Sequence, residues 1–229
     1  RHSFPTRRSS DLTDLHAFEG TQPYFDYPRI LGHELSGILV DTGDAIGFEV
    51  GEVVTFIPYF HCGTCIACRS NKTNCCSSLK VSGVHIDGGF VEYLSVPTYS
   101  LVKSGGLSVD ELCLVEPLSI GAHSIRRAEI KKDEFVLVVG AGPIGLGVAE
   151  FARIAGGQVI MMDVNNNRLA FCSEVLKLPF IINPKTVDPA MEIRKITNGD
   201  MPTVVIDATG NLAAINNAFQ YMAHGAKYI

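Results

Sequence analysis

Two hydrophobic rhythms divide the chain. From Tyr27 to about Pro97 the apolar residues fall in short β-type runs broken by glycines: Gly37-Ile38-Leu39-Val40, then Val53-Val54-Thr55-Phe56-Ile57, then Phe90-Val91-Glu92-Tyr93-Leu94-Ser95-Val96. Turn residues separate them, which predicts a small, mostly antiparallel barrel. From about Glu134 the rhythm changes. Residues 135–139 form a continuous, largely β-branched run expected of a buried strand, residues 142–155 have helical spacing, and residues 159–162 form the next strand, ending at Asp163. Residues 168–176 read as helix and 180–182 as strand. Asp188-Pro189 supplies an N-cap and a proline at the first helical position, opening a helix that Gly199 closes. Strand 204–206, helix 212–222 and a further strand from Ala226 complete the series. This alternation predicts a parallel sheet wound by right-handed crossovers, a doubly wound sheet left incomplete because the chain stops inside its last predicted strand.

Residues 1–12 (RHSFPTRRSSDL) hold three arginines, a histidine and three serines with no apolar period to bury. The segment resembles translated adapter sequence and is set aside as foreign, the alternative being a natural disordered basic tail. The remainder divides into residues 13–126 and 127–229.

Composition narrows the function classes. Among 229 residues, 46% are apolar and 19% charged, ordinary for a globular protein with room for two domains. A net charge of -5 provides no positive field for a phosphate backbone, so nucleic acid is not an expected partner. The uncharged stretch at residues 135–149 is shorter than the roughly 20 residues a membrane-spanning helix needs, and no export signal is expected. Seven cysteines without such a signal point to a reducing, cytoplasmic setting rather than a disulfide framework.

Five of the seven cysteines fall between Cys62 and Cys76. Cys62, Cys65 and Cys68, followed by Cys76, supply soft thiolates at the short separations that suit a closed, tetrahedral structural zinc site. Adjacent Cys75 and Cys76 cannot easily both ligate one ion. A set of buried or redox-active thiols is the alternative.

Gly140-Ala141-Gly142-Pro143-Ile144-Gly145 follows a predicted strand and opens a predicted helix. The first glycine makes the tight turn, the second admits a pyrophosphate close to the backbone, and the third lets helix and strand pack. Asp163 can accept hydrogen bonds from adenosine ribose hydroxyls, and its charge repels a 2′-phosphate, which favours NAD over NADP. Arg168 lies near enough to border the ribose or adenine, or is simply a solvated helix-start residue. Gly32-His33-Glu34 and the distant Glu116-Pro117 bring an imidazole and two carboxylates, donors for an open catalytic zinc site or else an ordinary surface or core pair.

Together these stretches resemble the zinc-containing medium-chain alcohol dehydrogenases, and among them the polyol and sugar-alcohol type. The matching segments are Gly32-His33-Glu34 with Gly37, the cysteine lobe through Asn74 and Cys76, Asp87-Gly88-Gly89-Phe90 with Glu92-Tyr93, Glu116-Pro117, the glycine loop with Asp163, and Asp207-Ala208-Thr209-Gly210. The resemblance implies a GroES-like, mostly-β catalytic domain joined to a Rossmann domain, with the active site between them. It implies two zinc ions, NAD, a small-molecule alcohol substrate and a homo-oligomer. By resemblance, His33, Glu34 and Glu116 serve the catalytic zinc, Cys62, Cys65, Cys68 and Cys76 the structural zinc, and Gly140, Gly142, Ile144, Gly145, Asp163, Arg168 and Thr209 the cofactor. Thr13 matches a hydroxyl that relays the substrate proton, Asp14 a residue steadying the histidine, and His16 a continuation of the relay.

Two departures accompany the match. The family carries Cys-Gly before Thr13-Asp14, supplying its first zinc ligand, whereas this chain has Asp11-Leu12. The chain also stops before the segment expected to hold the nicotinamide end. The implied activity is hydride transfer from a secondary alcohol, polyol or sugar acid to NAD. The alternative is a zinc- and nucleotide-binding chain without turnover.

Overall fold

The computed structural model describes residues 6–9, 12–21 and 23–229, and divides into two compact units, Arg1–Glu116 and Pro117–Ile229. In chain order the first unit holds β1 (Thr6–Ser9), α1 (Leu12–Phe18), β2 (Glu34–Ile38), β3 (Val53–Phe56), β4 (Tyr59–Phe60), α2 (Ile66–Arg69), β5 (Lys80–Val81), β6 (Leu101–Lys103) and α3 (Val109–Leu112). Strands β1-β2-β3-β6 form one sheet with antiparallel neighbours, and β4 pairs β5 in a separate ribbon. Leu35, Leu39, Val54, Phe56, Val96 and Leu101 make the core of this unit.

Of the segment expected to be foreign, residues 1–5, 10 and 11 lie outside the described residues. Residues 6–9 form β1, paired with Glu34–Gly37 along β2. Main-chain pairing explains why an unpatterned segment is accommodated: an open strand edge presents N–H and C=O groups that any extended chain satisfies. The run at residues 90–96, expected to be a strand, is not one. Its start instead joins the loop ahead of β2, with Phe90 N–H donating to Leu31 O at 3.0 Å.

The unit boundary falls within α4 (Val115–Ala128), a helix the sequence pattern did not anticipate. Pro117 is tolerated in its first turn, where N–H groups have no intrahelical acceptor. The second unit continues with β7 (Phe135–Val139), α5 (Pro143–Ile154), β8 (Gln158–Met162), α6 (Asn166–Glu174), β9 (Phe180–Ile182), α7 (Pro189–Ile196), β10 (Val204–Asp207), α8 (Leu212–Ala218) and β11 (Lys227–Tyr228).

The strand order is β11-β10-β7-β8-β9, all parallel, the doubly wound arrangement expected. Alternation along β7 explains its unbroken apolar run. Val136 and Val138 face one core with Val148, Ala149, Ala152 and Met161, while Leu137 and Val139 face the other with Ile160, Ile193 and Val205. A strand covered on both faces needs no polar positions. Each such fully buried aliphatic side chain contributes roughly 1.5–3 kcal/mol. Asp188 caps α7 as expected, its Oδ1 accepting from Met191 N–H at 3.2 Å. Among the described residues no helix is long and apolar enough to cross a membrane.

Candidate functional site

In the second unit the glycine loop joins β7 to α5. Gly140 has φ +103°, a conformation that suits glycine, and a Cβ there would meet Thr209 Cγ2 at 2.9 Å. A Cβ on Gly145 would lie 1.7 Å from the Gly140 carbonyl oxygen, so this position admits no side chain without movement. Gly142 is different: nothing lies within 4 Å of the place a Cβ would take, so the space above it is open. The next turn begins with Pro143, which brings no N–H, followed by Ile144 and Gly145, whose N–H groups lie in the unpartnered first turn.

Asp163 follows β8 and is 8% exposed. Its Oδ2 accepts from Ala141 N–H at 2.7 Å, tying the glycine loop to the neighbouring strand, and its Oδ1 accepts from Asn165 N–H at 2.7 Å. Arg168 Nη1 stands 3.8 Å from Oδ2 on the exposed side. Thr209 occupies the turn after β10, its hydroxyl donating to Asp207 Oδ1 at 2.7 Å. The structure therefore gathers Gly140, Asp163 and Thr209 at the carboxyl ends of three adjacent strands, where ligands of such sheets bind.

In the first unit the ribbon β4–β5 brackets the cysteine lobe. The Sγ atoms of Cys62, Cys65, Cys68 and Cys76 all lie within 4.8 Å of one another, with Cys62 to Cys68 at 4.0 Å and Cys65 to Cys68 at 3.4 Å. A tetrahedral zinc with bonds of about 2.3 Å sets sulfurs about 3.8 Å apart, so these donors fit that ion. Main-chain N–H groups aim at the same sulfurs: Cys65 at Cys62 Sγ (3.4 Å), and Cys62 and Ser78 at Cys76 Sγ (3.3 Å each).

Local bonding spreads the thiol acidities. Bonds from the Thr64 hydroxyl and main chain hold Cys62 down at about 7, and main-chain donation led by Cys68 brings Cys65 to about 5. Burial, together with the neighbouring sulfurs, pushes Cys68 up to about 12. Four thiolates this close remain charged together only around a cation. Cys75 is exposed and stands outside the group.

His33, Glu34 and Glu116 are 7%, 4% and 9% exposed. A glycine clasp holds the histidine loop. Gly88 N–H donates to Ile30 O, Gly89 N–H to Gly32 O, and Asp87 Oδ1 accepts from Ile30 N–H and the Arg29 guanidinium. A Cβ on Gly88 would sit 2.4 Å from Gly32 O, which is why the two segments can lie this close. Asp14, 4% exposed, accepts from Gly32 N–H at 3.1 Å and so braces the residue before His33. Thr13 and His16 lie half-buried on α1 at i and i+3, neighbours along one side of the helix. Asp11 lies outside the described residues. The Tyr59 hydroxyl donates to Glu116 Oε1, a contact that sequence reasoning missed because 57 residues separate the pair and no pattern links them.

Among the described residues, only the four cysteines form a group of three or more metal donors within reach of one ion. His33, Glu34 and Glu116 are not brought into such a group.

Two family profiles match the chain: the alcohol dehydrogenase GroES-like domain over residues 8–106, and the zinc-binding dehydrogenase over residues 143–229. The chain belongs to the zinc-type medium-chain alcohol dehydrogenase family. The chain is 44% identical over 218 residues to L-galactonate-5-dehydrogenase of Escherichia coli strain K12, covering 95% of the chain and 64% of that relative. It thus spans less than two thirds of that relative's length. A structure described as a short chain alcohol dehydrogenase from Escherichia coli CFT073, complexed with NADH, superposes with a TM-score of 0.87 at 30% identity, covering 98% of this chain and 66% of that one. A zinc-binding dehydrogenase from Sinorhizobium meliloti 1021 bound to NADP superposes at 0.90 and 27% identity, covering 99% and 68%. Both units of the expected fold, GroES-like and Rossmann, are therefore present in this chain.

Proposed function

We propose that this protein oxidises a secondary alcohol of a polyol or sugar acid by hydride transfer to NAD, with zinc held at the cysteine lobe. The observation that carries the reading is Asp163 bonded to Ala141 N–H across the glycine loop. Each carboxylate oxygen uses one lone pair on the main chain and keeps another for ribose hydroxyls. Its negative charge opposes a 2′-phosphate, which supports NAD over NADP.

When bound, nicotinamide supplies the hydride acceptor and the redox chemistry. The chain's own part is binding and proton handling. The open space above Gly142 lets backbone approach a pyrophosphate, and the first-turn N–H groups of Ile144 and Gly145 offer it hydrogen bonds. Thr13 is the group proposed to take the alcohol proton, with His16 one helical turn away as the next carrier. Asp14 holds the loop carrying His33. The similarity to an L-galactonate dehydrogenase supports a sugar-acid substrate.

A second reading, zinc and nucleotide binding without turnover, is favoured by the lack of a three-donor group at His33, Glu34 and Glu116 among the described residues. Calorimetric titration with NAD and NADP, followed by assay against a panel of sugar acids and alditols, separates the readings. Tighter NAD binding with NADH formation supports the first. Nucleotide binding with no reduced cofactor from any substrate establishes the second, and absence of binding to either nucleotide overturns both.

A further inference from the structure

We infer that the cysteine lobe positions Glu116 through Tyr59. The inference rests on the lobe holding zinc, and it assigns to that metal an effect at a buried carboxylate distant in sequence. Ribbon β4–β5 has only two residue pairs, Tyr59 with Val81 and Phe60 with Lys80. A ribbon so short is marginal by itself. Between its strands runs the whole lobe, and the cluster closes that loop. Cys62 N–H, two residues beyond Phe60, donates to Cys76 Sγ, and Ser78 N–H, two residues before Lys80, donates to the same sulfur. The stem that carries Tyr59 is thus fastened at its far end by a metal-ligand atom.

Strand alternation then sets the direction of the tyrosine. Phe60 stacks on Phe56, ring centroids 6.3 Å apart, and packs against the core of the antiparallel sheet. Its neighbour Tyr59 is directed to the opposite side, as successive strand residues are. There its hydroxyl donates to Oε1 of Glu116, a residue 9% exposed. A carboxylate with so little water is oriented by its hydrogen-bond donors, and this donor stands on the ribbon. Tyr59 is a positioning residue: fastening the lobe fixes the ribbon, and the ribbon fixes one oxygen of Glu116.

The chain contains seven tyrosines and no tryptophan, so tyrosine emission is directly readable. A phenol bonded to a carboxylate is quenched. In the zinc-loaded chain, Tyr59→Phe is expected to change emission by much less than one tyrosine's share, a seventh of the total. Glu116→Gln is expected to restore up to that share. Chelating zinc from the wild-type chain is expected to raise emission, and to leave Tyr59→Phe without that rise while metal analysis shows equal zinc in the two proteins beforehand. Equal responses of wild type and Tyr59→Phe to chelation overturn the inference alone. A chain that takes up no zinc overturns it together with the reading of the lobe. Should Glu116→Gln fail to fold, the chelation difference between wild type and Tyr59→Phe decides by itself.

Discussion

The carboxylate of Asp163, at the end of β8, accepts a 2.7 Å hydrogen bond from the main-chain N–H of Ala141, 22 residues earlier in the glycine loop. One side chain thereby shapes the loop and borders the proposed ribose site. Asp163→Ala is expected to weaken NAD binding by about 1–3 kcal/mol, the cost of losing a charge-assisted hydrogen bond, or roughly five- to 150-fold in Kd. The loss for NADP is expected to be smaller, because a repulsive charge goes with it. Calorimetry with both nucleotides checks this, and unchanged NAD affinity would remove Asp163 from the site.

Gly145 allows α5 to lie against the loop, since a Cβ there would stand 1.7 Å from Gly140 O. The obstructing atom is backbone, which cannot swing aside. Gly145→Ala is expected to cost about 1–3 kcal/mol through overpacking. Thermal denaturation should show a drop of several degrees, whereas Gly199→Ala, with nothing within 4 Å but φ +100°, should be penalised only through backbone strain.

Removing zinc from the lobe should be felt first by the amides that point at sulfur. The N–H groups of Cys62, Cys65 and Ser78 are expected to exchange with deuterium faster after chelation. Amides of β7 and β8 are expected to keep their rates. Uniform acceleration through both units would show instead that the metal supports global stability.

Glu134 makes a pH prediction. Burial by itself would raise its pKa, but the Thr203 hydroxyl (2.6 Å) and Lys131 N–H (2.8 Å) outweigh it and hold the carboxyl below the ordinary value of 4.5. A lowered folded-state pKa stabilises the protein above the unfolded value, and that stabilisation disappears as pH falls through the folded value. Glu134→Gln should therefore lower stability at neutral pH and flatten the decline as pH falls below the ordinary value of 4.5. Denaturant titrations of both proteins across that range provide the comparison, and parallel curves would exclude the carboxylate from acid unfolding.

Local periodicity and spacing carried most of the fold. The β7–α5–β8 unit, the Asp188 cap and the cysteine lobe all depend on residues near one another in the chain, so short-range rules identify them. The run at residues 90–96 misled because its β-rich composition says nothing about its partner. Tertiary context gave its first residue to the loop at Leu31 instead of a strand ladder. Helix α4 went unseen for the opposite reason: its glycine and proline obscure the period, and Gly121 lies close against the backbone at Gly147.

The identity of the candidate donors and the nucleotide loop came from sequence alone, since thiolates, imidazole, carboxylates and glycines advertise their chemistry by type and spacing. Which of them meet came only from tertiary structure. Folding drew four sulfurs within 4.8 Å, aimed Asp163 at Ala141 and set Tyr59 on Glu116 across 57 residues. The physical reason is range: covalent spacing constrains a few neighbouring residues, whereas a hydrogen bond between distant segments exists only after sheets and loops have packed.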